Sequence, residues 1–178
     1  AMIGDGLVGQ GIPVLYPFIR DDLQLTRAQV GLIYSAVMST SMITVVIGGW
    51  LSDSWGAKRI LVTTLLYTVF PVLGFGLINS LWIALFIGLL IGVGVGPFYP
   101  STSKQIIDWV PRKTLALGMS IKQTGPPIAG AISALTLPSL ALSYGWRISI
   151  IFIASSMLLL GVITLTMYQD NQNTTKVS

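Results

Sequence analysis

Residues 30–46 and 60–78 carry no charged side chain. Each run approaches the roughly 20 apolar residues that a helix needs to cross a bilayer. In lipid every backbone N–H and C=O must find its partner inside the protein, which a single helix achieves by itself. Similar stretches recur, and together they predict six spans. The first reaches about residue 19, four follow at 28–51, 58–78, 81–104 and 115–140, and the sixth ends near residue 167. The fold class expected is an all-α membrane protein, with residues 1–168 as one bundle whose first helix is truncated or begins at the chain start. Residues 169–178 are expected to be a polar cytoplasmic tail or the start of a linker.

The charge balance supports this solvent. Hydrophobic residues make up 53% of the chain, charged residues 9%, and the mean hydropathy is +0.79. A water-soluble domain carries nearer a quarter charged residues. No basic segment precedes the apolar run that opens at Met2, so a secretory leader is not expected. The chain is expected to be a segment of a longer protein. The net charge of +4 comes from bases in short loops and forms no stripe, so no nucleic-acid partner is expected. Lys58, Arg59, Lys104, Arg112, Lys113 and Lys176 fall on one side of the six spans, and Arg20, Arg27 and Arg147 on the other. The positive-inside rule then puts both termini in the cytoplasm. All five tryptophans fall at expected helix ends, where an amphipathic ring favours the interface.

Several chemistries are excluded by residue type. There is no cysteine and no histidine, which removes thiol nucleophiles, disulfides and the commonest metal ligand, and no cofactor or metal site is expected. Ser120 and Lys122 lie two apart on different helix faces, against a serine–lysine dyad. Gly92-Val93-Gly94-Val95-Gly96 lacks the spacing of a dinucleotide loop and sits inside an apolar span. No enzyme is expected.

The polar turn Gly48-Gly49-Trp50-Leu51-Ser52-Asp53-Ser54-Trp55-Gly56-Ala57-Lys58-Arg59 separates the second and third spans. Gly49 and Gly56 are expected to allow close backbone approach and chain reversal. Asp53 is placed to accept bonds from N–H groups at a helix start. This stretch resembles the signature loop of the major facilitator superfamily of secondary transporters, Gly-x-Leu-x-Asp-(Arg/Lys)-x-Gly-(Arg/Lys)-(Arg/Lys). Gly49, Leu51, Asp53, Gly56 and Lys58 match it, while Ser54 and Ala57 depart from it. The resemblance implies a conformational latch formed by Gly49, Asp53, Gly56, Lys58 and Arg59. With no base at Ala57, Asp53 would exchange with Lys58 or Arg59.

Further features carry the resemblance along the chain. Gly92-Val93-Gly94 matches the fourth-helix pattern Arg-x-x-x-Gly-x-Gly, but Gly88 stands where the family has an arginine associated with proton coupling. Asp108-Trp109-Val110-Pro111-Arg112-Lys113 and Gly145-Trp146-Arg147 resemble loops of bacterial and archaeal members. Gly125-Pro126-Pro127-Ile128-Ala129-Gly130 resembles the exchanger-branch element only loosely and does not assign the chain there. The resemblance implies the N-terminal six of twelve helices, built as two inverted three-helix repeats. It also implies a C-terminal six-helix half as partner, lipid around both, and a prokaryotic plasma membrane.

An internal echo fits such repeats. Gly9-Gln10-Gly11-Ile12-Pro13 leads to Tyr16-Pro17, and Gly94-Val95-Gly96-Pro97 leads to Tyr99-Pro100. Interruptions by glycine and proline at matching positions point to a transporter's binding site. The simpler alternative is close helix packing along Gly88, Gly92 and Gly96.

Lys122 is the sharpest candidate. It lies about 10 Å into the fifth span, counting from Leu115 at 1.5 Å per residue. A charge at that depth costs a few kcal/mol unless it finds water or a partner. Gly118, Lys122, Gly125, Ala129 and Ser133 share one helix face, and Leu117, Ile121, Ile128, Ile132 and Leu135 share another. The bulky face suits lipid, so Lys122 is expected to face the pathway and attract an anionic group. The alternative is a lysine that snorkels to the headgroups. Tyr16, Tyr99, Gln10 and the differently oriented Gln123 complete the candidate binding set. Gln105 is a weaker candidate, Lys104 is expected at the interface, and Asp5 is a candidate coupling acid or an interfacial cap.

The function expected is alternating-access transport of a small organic or inorganic anion. The rivals are a multidrug-type exporter of amphipathic compounds and a non-transporting sensor or scaffold subunit.

Overall fold

The computed structural model describes residues 2–167, so the expected tail at 169–178, including Lys176, lies outside the described residues. Eight α-helices and one 3-10 turn follow in order: α1 (Met2–Asp22), α2 (Arg27–Trp55), α3 (Ala57–Phe75), α4 (Leu81–Val95), α5 (Phe98–Trp109), the 3-10 turn (Arg112–Thr114), α6 (Leu115–Gln123), α7 (Gly125–Tyr144) and α8 (Trp146–Met167). Among the described residues there is no strand.

Local chemistry sets most boundaries. Thr26 begins α2 with a capping box: its Oγ1 accepts from the Gln29 N–H at 3.2 Å, and Gln29 Oε1 accepts from the Thr26 N–H at 2.8 Å. Gly56, at φ 92°, ends α2 and opens α3, and Gly145, at φ 87°, does the same between α7 and α8. Other side chains are strained at positive φ, so these two glycines are the reversal points.

The fourth and fifth spans are each broken. The fourth was expected as one helix over 81–104, but α4 stops at Val95 and α5 runs on to Trp109. Pro97 has no N–H to donate, and its ring crowds the preceding turn. In the fifth span the break falls at Thr124, before Pro126-Pro127, because the first turn of α7 tolerates prolines that an interior would not. By contrast α1 continues unbroken through Pro13 and Pro17, so the echo in sequence does not produce a matching break.

Among the described residues five segments are long and apolar enough to cross a membrane: Arg27–Trp55, Ala57–Phe75, Leu81–Trp109, Arg112–Tyr144 and Trp146–Thr166. The sixth helix, α1, is 21 residues long and less apolar, since it carries Asp5, Gln10, its glycines and its prolines. Its Leu7, Val8, Ile12, Leu15 and Ile19 are nevertheless buried in the core. Outward-facing positions hold Met42, Val46, Phe70, Phe86, Leu135 and Leu142, an apolar exterior suited to lipid.

The helices pack as two exchanged triplets. α1 packs on α7 and α2 on α4, while α3 packs on α4 and α8 on α1, and α3 and α8 also meet each other. Swapping the first three spans for the last three carries each contact onto another. Three spans bring the chain to the opposite side, so the second triplet is inverted. Glycines permit both close pairs. A Cβ on Gly6 would come within 2.6 Å of Ala129 Cβ, and one on Gly92 or Gly96 would run into α2. Thr44 Oγ1 donates to Gly92 O at 3.1 Å across the second pair.

Candidate functional site

Lys122 sits in the last turn of α6 and is 7% exposed. Its Nζ donates to Tyr99 O at 3.3 Å and to Ser103 Oγ, both on α5. The ammonium also lies 3.7 Å from the centroid of the Tyr99 ring, whose face attracts a cation. The amine is therefore turned inward onto the neighbouring helix. Helical spacing accounts for this: Ala129 and Ser133 on the same face are fully buried, while Leu117, Ile121, Ile128, Ile132 and Leu135 are exposed. Among the described residues no carboxylate forms an ion pair with Lys122, in contrast to Arg20–Asp21, Lys104–Asp53 and Arg147–Asp22.

Asp5 approaches the same region from α1. Its neighbour Gly6 lies against Pro126 and Ala129, and Met2 lies against Gly125, so the start of α1 crosses the α6–α7 break. Asp5 and Lys122 are close enough to interact electrostatically. Lys122, Tyr99 and Asp5 thus converge on one region.

The remaining binding candidates disperse. Tyr16 packs edge-on to Tyr34, with ring centroids 6.4 Å apart, in a narrow cleft of ≈ 20 Å³ lined also by Val8, Gly9, Ile12 and Val37. That volume holds about one water molecule. Gln10 is exposed and lies against Gly130, two turns beyond Lys122. Gln123 is exposed on another face. Gln105 donates to Ala57 O at 3.4 Å and so ties α5 to the start of α3.

In the signature loop, Asp53 ends up in the last turns of α2 and pairs with Lys104 of α5, Nζ to Oδ1 2.8 Å. The partner expected was Lys58 or Arg59. Lys58 is half-buried in the first turn of α3, and Arg59 is exposed there. Gly56 makes the turn as expected, but close approach belongs to Gly48: a Cβ there would collide with Pro97, whereas one on Gly49 would sit 3.9 Å from Pro100. An open cleft of ≈ 420 Å³ lies over this joint, lined by Gly49, Ser52, Asp53, Ser103, Lys104 and Asp108.

Sequence inspection missed three residues. Ser52 and Ser101 share a buried hydrogen bond of 2.8 Å between α2 and α5, and Ser103 holds the lysine. Only the spacing of Ser103, four residues after Tyr99, hinted that both would face one partner. A further departure concerns Trp146, which is 5% exposed and donates Nε1–H to Asp22 Oδ2 at 3.0 Å, so it does not sit free at the interface.

Comparison with known proteins agrees with this architecture. The profile of the Major Facilitator Superfamily matches residues 1–177. A hexuronate transporter of Bacillus subtilis is 32% identical over 146 residues, covering 80% of this chain and 34% of the relative. A probable sulfoacetate transporter of Cupriavidus necator is 28% identical over 137 residues, 76% of this chain and 32% of the relative. A gentisate transporter of Corynebacterium glutamicum is 32% identical over 134 residues, 72% of this chain and 30% of the relative. The chain thus spans about a third of the length of these curated relatives. With membrane-length apolar helices arranged as two exchanged triplets and a profile match over almost every residue, this integral membrane protein belongs to the Major Facilitator Superfamily, a family of transport proteins and not of enzymes.

Proposed function

We propose that this chain forms one six-helix half of a secondary transporter that moves small organic or inorganic anions by alternating access. Both its termini face the cytoplasm of a prokaryotic cell, and a second six-helix half closes the pathway. The observation that carries the proposal is the buried Lys122 ammonium, bonded among the described residues to uncharged oxygens and an aromatic face on α5. A cation kept at that depth without a carboxylate at ion-pair distance has charge left for a ligand. An arriving carboxylate, sulfonate or nitrate replaces weak neutral acceptors with a charged one, a stronger bond in a low-dielectric site. The relatives named above are called transporters of hexuronate, sulfoacetate and gentisate, all of them anions, which supports the same cargo class here. Rocking of the two halves about this mid-depth site would then expose the anion to each side in turn.

The test is uptake of labelled glucuronate, sulfoacetate, gentisate and nitrate by the full-length protein in proteoliposomes. Lys122→Met should cut anion uptake by roughly 10- to 100-fold, the equivalent of one charge-assisted bond of about 1.5–3 kcal/mol. Lys122→Arg should retain part of it. Anion uptake by Lys122→Met at the parent rate overturns the proposal. Flux of amphipathic cations instead of anions would point to an exporter, and no flux of any solute to a sensor or scaffold.

A further inference from the structure

We infer that Ser103 is a positioning residue that couples occupancy of the Lys122 site to the Asp53–Lys104 ion pair, an inference that rests on Lys122 being the anion site. Ser103 and Lys104 are consecutive on α5 and so point about 100° apart around its axis. The first holds Lys122 of α6, and the second holds Asp53 of α2 at 2.8 Å. Ser103 also lines the cleft over that ion pair, so one hydroxyl borders both places. It donates its own proton to Tyr99 O at 2.8 Å, which leaves its lone pairs for the ammonium.

α5 is built to turn as a unit. It is a 12-residue helix joined to α4 at Gly96-Pro97, where Pro97 has no backbone N–H to donate and the span can hinge. Two side chains tie it to the α2–α3 turn, Ser101 to Ser52 and Gln105 to Ala57 O. From the α6 side Lys122 bonds both Ser103 and the Tyr99 carbonyl. An anion that takes the ammonium away from these oxygens releases two bonds between α5 and α6. The helix then settles toward α2, and the geometry of Lys104 against Asp53 changes with it. Ser103 is the contact at which the two events meet.

The experiment places a reporter cysteine at Ile107, an exposed residue on the rim of the cleft. This chain contains no cysteine, and any elsewhere in the full-length protein are replaced by serine. The rate of maleimide labelling is measured on full-length protein in lipid nanodiscs. Lys122→Met, which removes the ammonium without any ligand, should change that rate by roughly fivefold, the lower end of usual coupling between two sites. In the Ser103→Ala background the same substitution should have no further effect, and Ser103→Thr should restore the response. Should Ser103→Ala fail to reconstitute, Ser103→Gly takes its place. Independent, multiplicative effects of Lys122→Met and Ser103→Ala overturn the inference, as does an unchanged rate in Lys122→Met. A separate arm adds glucuronate or nitrate: no response to either, with the Lys122→Met response intact, defeats the anion reading and leaves the coupling standing.

Discussion

Asp22 and Arg147, 125 residues apart in the chain, meet at 3.0 Å between Oδ2 and Nη1 where α1 ends and α8 begins. The same carboxylate oxygen accepts from the Trp146 indole at 3.0 Å, and the guanidinium lies 4.5 Å from the centre of that ring. Arg147 Nη2 reaches Ile78 O at 3.5 Å, so one end of α1, α3 and α8 is gathered at a single point. Arg147, counted in sequence among the loop bases, is thereby committed to a partner.

The components of this joint differ in worth. Asp22 and Arg147 are both nearly half exposed, so their ion pair alone contributes about 0–1 kcal/mol. The Trp146 ring is buried, and an indole N–H left without an acceptor costs about 1–3 kcal/mol. Asp22→Ala should therefore lower the thermal unfolding temperature of the detergent-solubilised full-length protein clearly. Asp22→Asn, which keeps an acceptor for the indole, should lower it much less. Equal losses in the two variants would assign the effect to charge and not to the buried donor.

Adjacent glycines in the signature loop should respond differently. A Cβ on Gly48 would fall on Pro97, at the point where α2 passes the break between α4 and α5. Gly48→Ala forces those backbones apart, and overpacking of this kind costs about 1–3 kcal/mol. On Gly49 the added methyl would have ordinary room, 3.9 Å from Pro100. Gly49→Ala should unfold within a degree or so of the parent, on the order of what a surface change produces. Thermal unfolding followed by size-exclusion of the heated protein separates the two.

Ser133 offers a substitution expected not to hurt. Its hydroxyl is fully buried and has no hydrogen-bond partner among the described residues, and it faces the spot where Gly11 of α1 passes α7. A buried hydroxyl without a partner costs about 1–3 kcal/mol on mutational scales. Ser133→Ala removes the unmatched group and loses little volume, so the unfolding temperature should stay level or rise. A marked fall would mean that the hydroxyl is satisfied in another conformation of the transporter, which uptake kinetics of the same variant would register.

The charge-free runs determined that this chain forms membrane-length helices, because lipid admits few other ways to satisfy the backbone. Helical spacing also determined which way the fifth span faces: Ala129 and Ser133, which share a side with Lys122, are buried, and the bulky residues of the other side are not. Glycine chemistry located the reversal at Gly56, where the φ value excludes most other residues. Only the tertiary structure decided the partnerships. Asp53 lies only five and six residues before the bases at 58 and 59, yet it pairs with Lys104, because contact between Gly48 and Pro97 sets the register of α2 against α5. Lys122 found Tyr99 and Ser103, and left Tyr16 to a separate cleft, because the breaks at Gly96-Pro97 and Thr124 bring two short helices together. Periodicity is a property of one helix and can be read along the chain. Register between helices depends on where backbones make closest contact, and no single stretch of sequence contains it.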